Sequence, residues 1–599
     1  MKHIIISLFS IVFTCSLMAQ NITVEEVKTS GEYLWGEGIG STINKADKEA
    51  LSALVSQLSV SIQAGFEMQS EETDDEFHER VQSIVKTYSS AKLTNTQRIV
   101  ISDEPNAKVI RYISKASVAK QYENRRRKIL QYVADAEKAE ENVQVSDALR
   151  FYYWALSLLN SYPNSDTLTH DNGELMRTYI PKRMNGIFNG LAASINNVTK
   201  EDNKQDVELL ITLNGKPVQN YDYTYFDGRN YSNIVSAKDG RGIIELSAIH
   251  ELKDIRLRSE YIFENEAMLD DDLKQVFEQI EAEIPFHNNK VVVKNGVSSE
   301  AKATLVQQQE MLKTNEQAVF DKMLDTITYL EILDKLEKAI KTKTYASVEQ
   351  YFTTEGYKMF SALMVYGNAK LLSHNGYSLY NADGSVICRS MPMQFNFKGN
   401  KTFIESIVYE FDESKKINTL SFQLEQEAIA DIAEKTRWSK EAKHVLIRFL
   451  ENYKTAYALK RLDYLGQIFS DDALIIVGSV VKKPTALDKQ VVFLNDKQVE
   501  YNRYTKAEYI KNLERCFARN EFINLRFTEN DIKKVSNDKE VYGIQIKQDY
   551  FSSTYGDSGY LFLAVDLEVS DKPVIHVRTW QPERDEEGNI FSIVDFDWE

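Results

Sequence analysis

Residues 449–478 read FLENYKTAYALKRLDYLGQIFSDDALIIVG. Val445–Leu459 has the apolar spacing of a helix, Tyr464 to Ala473 follows it, and Leu474–Gly478 begins a strand. Downstream, Gly543–Tyr550, Gly559–Leu567 and Val574–Gln581 alternate apolar and polar residues over strand lengths. The same order occurs once before. Ile332–Thr344 is helical, Val348 to Gly356 follows, and Ile387–Asn396, Thr402–Phe411 and Thr419–Leu424 alternate as strands. The C-terminal part is therefore read as two copies of one α+β unit, entered through a charged helix from Ser299 to about Lys322.

The second copy resembles the opening of the nuclear-transport-factor-two-like (SnoaL-like) fold, and its later strands YGIQIKQDYFSS, YLFLAVDLE and IHVRTWQP fit the long hairpin and return of that family. The resemblance implies helices lying across a strongly curved antiparallel sheet, a cone with a pocket between the layers. The family includes enzymes, binding modules and bare scaffolds. Its enzymes place an Asp, His or Tyr inside an apolar cone, where desolvation moves acid and base strengths toward neutrality. The candidate wall residues are Tyr453, Tyr457, Tyr464, Asp472, Tyr504, Cys516, Asp549 and Trp580, and among them Tyr453, Tyr457, Asp472, Cys516 and Trp580 are the proposed ligand-binding set. Tyrosines on such a helix also serve plain packing, and Asp471-Asp472 suits a turn or cap. On strict alternation Ile575, Val577 and Thr579 share one face of the last strand, and His576, Arg578 and Trp580 share the other. Because the first face is more apolar, the His576 face is expected to point outward. Pointing inward, His576 and Arg578 would grip an anion.

Working upstream, Val207 to about Val293 is strand-rich. Asn214-Gly215, Asp227-Gly228 and Asp239-Gly240 separate its apolar runs, the mark of hairpins. A small immunoglobulin-like β-sandwich over 205–295 is the expectation. Tyr122 to about Ile195 is helical. Asp147 to Leu156, closed by Tyr162-Pro163, looks like half a tetratricopeptide-type hairpin, and 129–200 is read as a helical connector. The cluster Arg125-Arg126-Arg127-Lys128 sits in a helical pattern followed by Asp135, Glu137, Glu140 and Glu141, and is expected as a solvated helix face with charge pairs.

The N-terminal unit, 20–128, runs from the strand Tyr33–Gly40 into a helix with apolar positions Ile43, Ala46, Ala50, Leu51, Leu54, Val55 and Leu58. A strand at Ser59–Ile62, a helix opening at Glu71–Glu76 and strands at Arg98–Ser102 and Val109–Ser117 are expected to follow. The phrases GEGIG, A-x-x-x-A-L-x-x-L, LSVSIQ, SSAKL and RYISKASVAKQYE resemble the LPP-twenty lipoprotein family of bacterial envelope proteins. That resemblance implies an exported α+β domain of structural or assembly character. Ahead of it, Lys2, the apolar run Ile4 to Leu17 and Met18-Ala19-Gln20 have the order of a secretory signal, 1–19, with cleavage after Ala19. Val12-Phe13-Thr14-Cys15 is a poor lipidation site.

At 599 residues the chain is too long for one core. Its six segments are the signal, the N-terminal unit, the connector, the sandwich, and the copies 299–433 and 434–599. The formal net charge of −17 argues against nucleic-acid binding. Cys388 and Cys516 are expected as free thiols. The seven histidines after the signal lack ligand spacing, Asp270-Asp271-Asp272 lacks the alternation and glycine of a calcium loop, and GEGIG lacks a phosphate-loop fingerprint. No catalytic residue, cofactor or metal is therefore expected. The reading is a non-enzymatic exported protein of the periplasm or cell surface, with no transmembrane helix, that binds or organises envelope components. The alternative is an enzyme or small-molecule carrier working in the C-terminal cone. Back-to-back sheets would allow a homo-oligomer.

Overall fold

The computed structural model describes residues 22–63, 96–200, 203–268, 270–279, 286–297, 299–374, 376–382, 384–396, 402–435, 437–481, 498–520, 523–536, 539–552, 556–568, 572–582, 584–585 and 588–596. The signal, Cys15 and the helix expected from Glu71 lie outside them. The chain divides into two compact units, one made of 1–124 with 485–494, the other of 125–484 with 495–599. The helix Lys115–Glu141 carries the chain from the first into the second.

In the first unit, β1 (Tyr33–Gly40), β2 (Gln97–Ser102) and β3 (Ala107–Ser114) form an antiparallel sheet in the order β1-β3-β2. The helix Ile43–Gln63 lies on one face. Gly36, Gly38 and Gly40 face this helix at the two-residue period of a strand. A Cβ on Gly38 would collide with the Ala46 carbonyl and the Ala50 amide, and one on Gly36 with the Ala50 carbonyl and the Leu54 amide. The glycines thus let helix and strand touch backbone to backbone, and Ala46 and Ala50 complete the fit. The expected strand at Ser59–Ile62 is instead the last turns of this helix, because buried Leu54 and Leu58 continue its apolar face without a break. The strand expected to reach Ser117 stops at Ser114, whose hydroxyl accepts the Ser117 amide and starts the next helix.

After the end of that helix the second unit continues with two helices packed against each other, Val145–Asn160 and Met176–Gly190. Eight strands follow: β4 (Leu191–Lys200), β5 (Lys204–Leu213), β6 (Lys216–Pro217), β7 (Asn220–Tyr225), β8 (Val235–Lys238), β9 (Arg241–Ser247), β10 (Arg256–Ser259) and β11 (Lys290–Lys294). Their order is β4-β11-β10-β7-β8-β9-β5-β6, and β4 also pairs with β5. This is a closed seven-strand barrel with β6 appended, so the expected two-sheet sandwich is corrected. The physical reason is β4. Read from sequence as the end of the helical connector, it buries Leu191 and Ala193, pairs antiparallel with β5 and parallel with β11, and joins the two open edges. The Asp239-Gly240 turn, with φ of +50° and +75°, closes the β8–β9 hairpin in the left-handed geometry its sequence demands.

After the helix Ser299–Val319 come the two sheet-and-helix domains. The first has helices Ile327–Thr342 and Thr354–Tyr366 against β12 (Asp321–Lys322), β13 (Lys370–Leu371), β14 (Ser378–Ala382), β15 (Ser385–Phe395), β16 (Phe403–Phe411) and β17 (Ile417–Phe422). The second has helices Gln426–Glu434, Lys440–Ala458, Leu462–Ile468 and Lys506–Arg519. Its strands are β18 (Phe469–Val481), β19 (Gln498–Tyr504), β20 (Ile523–Lys534), β21 (Val541–Ser552), β22 (Gly556–Asp566) and β23 (Val574–Gln581), in the order β19-β18-β23-β22-β21-β20. Its sheet is not wholly antiparallel as expected, because β18 runs parallel to β23. Register shifts at Cys388/Met391, Phe527/Glu529 and Ala564/Val565 mark bulges, which bend the strands.

The helix Lys440–Ala458 serves both domains. Leu446, Leu450, Tyr453 and Tyr457 enter the core of the second. On the other side Arg448, Glu451 and Lys454 reach Glu410, Arg389 and Glu405 on the sheet of the first. Arg389 is fully buried, bonded at 2.8 Å to Glu316 and at 2.6 Å to Glu451. The side of this helix that meets the first domain is thus a buried ionic seam.

Candidate functional site

The site grows from two helices and one bulged strand. Thr505 and Glu508 form a reciprocal capping box that starts the helix Lys506–Arg519, and its apolar face, Tyr509, Leu513 and Phe517, turns into the core at four-residue steps. From Lys440–Ala458, Tyr453 and Tyr457 enter the same core one turn apart. Their hydroxyls form a chain: Tyr453 to Tyr457 at 3.1 Å, and Tyr457 to Tyr509 at 2.8 Å. Burial pushes the Tyr509 phenol up to about 12 and the Tyr457 phenol well above its ordinary value.

Arg578 comes to this chain from β23. Strict alternation fails there because the β22 register steps from Ala564 opposite Val577 to Val565 opposite Ile575, leaving His576 as the bulged residue. The bulge puts Ile575 on the same face as Arg578 and Trp580, toward the helices. Val577 turns instead to a separate cluster with Phe562, Ala564 and Ile593. The face expected to point outward is thus an inner one, and the opposite face is covered as well. His576, between buried Ile575 and Val577, stays part-exposed, 3.3 Å from Asp566.

The Arg578 guanidinium lies 4.9 Å from the Tyr509 ring centroid, over its face, and is within hydrogen-bonding reach of the Tyr453 hydroxyl. The residue is 7% exposed, its Nε and Nη1 have no hydrogen-bond partner, and among the described residues no carboxylate pairs with it. A buried cation without a counter-charge costs several kcal/mol. The arrangement presents a guanidinium and a line of phenols, which are donors, and suits an acceptor-rich anion.

Of the five sequence-chosen residues, Tyr453, Tyr457, Cys516 and Trp580 belong to or pack against this one core. The Cys516 thiol lies 3.2 Å from the Tyr550 hydroxyl. Asp472 does not join them: it is exposed, and its carboxylate accepts from the nearby Ser470 hydroxyl, which holds the carboxyl below its ordinary pKa. It sits near the start of β18, where the register against β23 is irregular between Phe469 and Leu474, so its carboxylate stays at the surface and outside the core. Tyr464 and Tyr504 border the core part-buried. Asp549 faces the other side of its strand. There Arg526 at 2.6 Å and Arg150 at 3.5 Å overcome its burial and hold its carboxyl well below the carboxylate range. It is an ion-pair anchor for the helix Val145–Asn160 and is unsuited to act as a base at neutral pH.

Sequence reasoning missed Tyr509 and the inward aim of Arg578. The Thr505-x-x-Glu508 capping box ahead of Tyr509, Leu513 and Phe517 could have found the first. Nothing local announces the bulge at His576.

Cys388 and Cys516 are free thiols, and burial pushes the Cys388 thiol up. Among the described residues no group of three His, Cys, Asp or Glu is arranged to hold a metal ion. Nor is any described helix long and apolar enough to cross a membrane.

No family model matches the chain, and a search of curated proteins found no match. Among solved structures, Bd1075 of Bdellovibrio bacteriovorus aligns over 32% of this chain at 11% identity and a TM-score of 0.18, the chain spanning only 50% of its length. A scytalone dehydratase candidate from Novosphingobium aromaticivorans aligns over 25% of this chain and 89% of its own, at 12% identity and a TM-score of 0.18. A naphthalene 1,2-dioxygenase with indole in its active site aligns over 27% of this chain and 87% of its own, at 11% identity and a TM-score of 0.19. At such values the fold rests on the chain's own strand order and helix placement.

Proposed function

We propose that this chain is a non-enzymatic binding protein of the bacterial cell envelope. Its C-terminal domain, of the nuclear-transport-factor-two-like type, takes a small organic anion at Arg578. One observation carries the reading: a guanidinium buried among three phenols with two nitrogens unpartnered and no carboxylate beside it. An incoming carboxylate supplies the missing charge and accepts from the donors the fold has already desolvated, while the aromatic walls take its apolar body. The groups best suited to acid–base work are engaged elsewhere, Asp549 in ion pairs and Asp472 at the surface.

Calorimetry with benzoate and its neutral relative benzamide tests this. Benzoate is expected to bind and benzamide to bind at least about tenfold more weakly. Arg578→Met is expected to abolish benzoate binding while making the unliganded protein more stable by about 1–3 kcal/mol, since it removes an uncompensated buried charge. Equal binding of both compounds, or a variant that is less stable and still binds benzoate, rejects the reading.

Export rests on the basic start, apolar run and Ala19 boundary of residues 1–19, and the LPP-twenty-like phrases of the N-terminal unit point to the same compartment. Fractionated cells are expected to hold the chain outside the cytoplasm with Gln20 as its first residue. Recovery of an uncleaved chain in the cytosol would overturn export.

A further inference from the structure

A second site lies at the meeting of the barrel, the helix Ser299–Val319 and the first sheet-and-helix domain. A cleft of about 100 Å³ opens there, against the roughly 10–15 Å³ that one water requires. Asp239, Arg241, Leu312, Ile404, Gln423 and Leu424 are among its walls.

Two of these residues carry unanswered acceptors. Gln423 is 5% exposed; its amide nitrogen donates to Glu316 at 3.1 Å, which fixes the amide orientation and leaves Oε1 without a partner. Asp239, at the tip of the β8–β9 hairpin, has a buried Oδ1 that is likewise unpartnered, and burial pushes its carboxyl up to about 6. The cations nearby are already engaged. Lys238 bonds Glu405 and Glu425 at 2.6 and 2.9 Å, and Arg241 donates to the Ser373 carbonyl.

These facts select a ligand class. Orphaned acceptors repel an anion, and Lys238 and Arg241 beside Asp239 offset the pull of its carboxylate on a cation. What remains is a neutral molecule that brings hydroxyl donors to Asp239 and Gln423 and lays a hydrocarbon face on Leu312, Ile404 and Leu424. A sugar ring has both. We infer that this cleft binds a neutral polyhydroxylated molecule of the sugar class, through Asp239 and Gln423, independently of the anion site at Arg578.

Saturation-transfer NMR on the full chain with methyl α-glucoside, N-acetylglucosamine and myo-inositol tests it. At least one compound is expected to receive transfer and to give a measurable Kd. Gln423→Leu and Asp239→Asn are each expected to weaken that Kd about tenfold. Asparagine keeps the left-handed turn that position 239 needs, so the second variant remains informative if the first fails to fold. Arg578→Met should leave the sugar signal unchanged, which separates failure here from failure of the anion reading. No transfer from any of the three compounds, or transfer undiminished in both variants, overturns the inference.

Discussion

Gly38→Ala is expected to unfold the N-terminal unit. The new methyl group would lie 2.7 Å from the Glu49 Cβ and closer still to the backbone of Ala46 and Ala50, so no side-chain rotation can relieve it. The helix Ile43–Gln63 must lift off β1, which strips the cover from Ala46, Ala50, Ala107 and Val109. Overpacking in a core costs about 1–3 kcal/mol where side chains can yield. Here backbone meets Cβ, and a three-stranded sheet with one such helix has little in reserve. Hydrogen exchange on the full chain reads the result directly. Amides of Val109–Ile113 should lose protection while those of Ile544 and Leu563, in a different core, keep theirs. Unchanged protection at Val109–Ile113 would refute the close-contact account. The same variant of the adjacent exposed residue, Ile39→Ala, is expected to be nearly neutral, because Ile39 is 66% exposed.

Arg389→Met has the second large effect. It leaves the fully buried carboxylates of Glu316 and Glu451 facing one another without a cation. Their remaining partners are the Tyr380 hydroxyl, the Gln423 amide and the Leu424 backbone, which are all neutral. Removing one member of such a cluster costs about 3–5 kcal/mol. Urea unfolding followed by the tryptophan signal should show that loss. The triple variant Arg389→Met, Glu316→Gln, Glu451→Gln should recover most of it, because neutral amides no longer pay for an unpaired charge. A triple variant as unstable as the single one would mean that shape, and not charge, holds the seam.

These two sites also mark what sequence can and cannot convey. The helical opening and long strands of the C-terminal half are legible because each is a periodicity within a short window. So are the Asx-Gly hairpins, since a positive φ is a local demand. GEGIG is legible as a strand end. Its purpose is not, because the helix that forbids a side chain there is named only by two alanines some ten residues on. Closure of the barrel depends on β4 finding β11, and no window contains both. Nothing local marks Glu451 as buried, because the Arg389 it meets belongs to the neighbouring domain. Arg578 points inward only because His576 occupies a bulge, a two-strand property absent from either strand alone. For the candidate site, then, sequence supplied Tyr453 and Tyr457, while Tyr509 and the inward aim of Arg578 had to come from the structure.

The parallel pairing of β18 with β23 also governs the order of events during synthesis. Phe469 must wait for Ile575, and Val477 for Trp580, before the middle of that sheet can close. Until then β18 has only β19 beside it, and its other edge stays open for as long as the intervening chain takes to emerge. The helix Leu462–Ile468, made just before β18 and packed against it, gives the waiting strand a first surface to fold against.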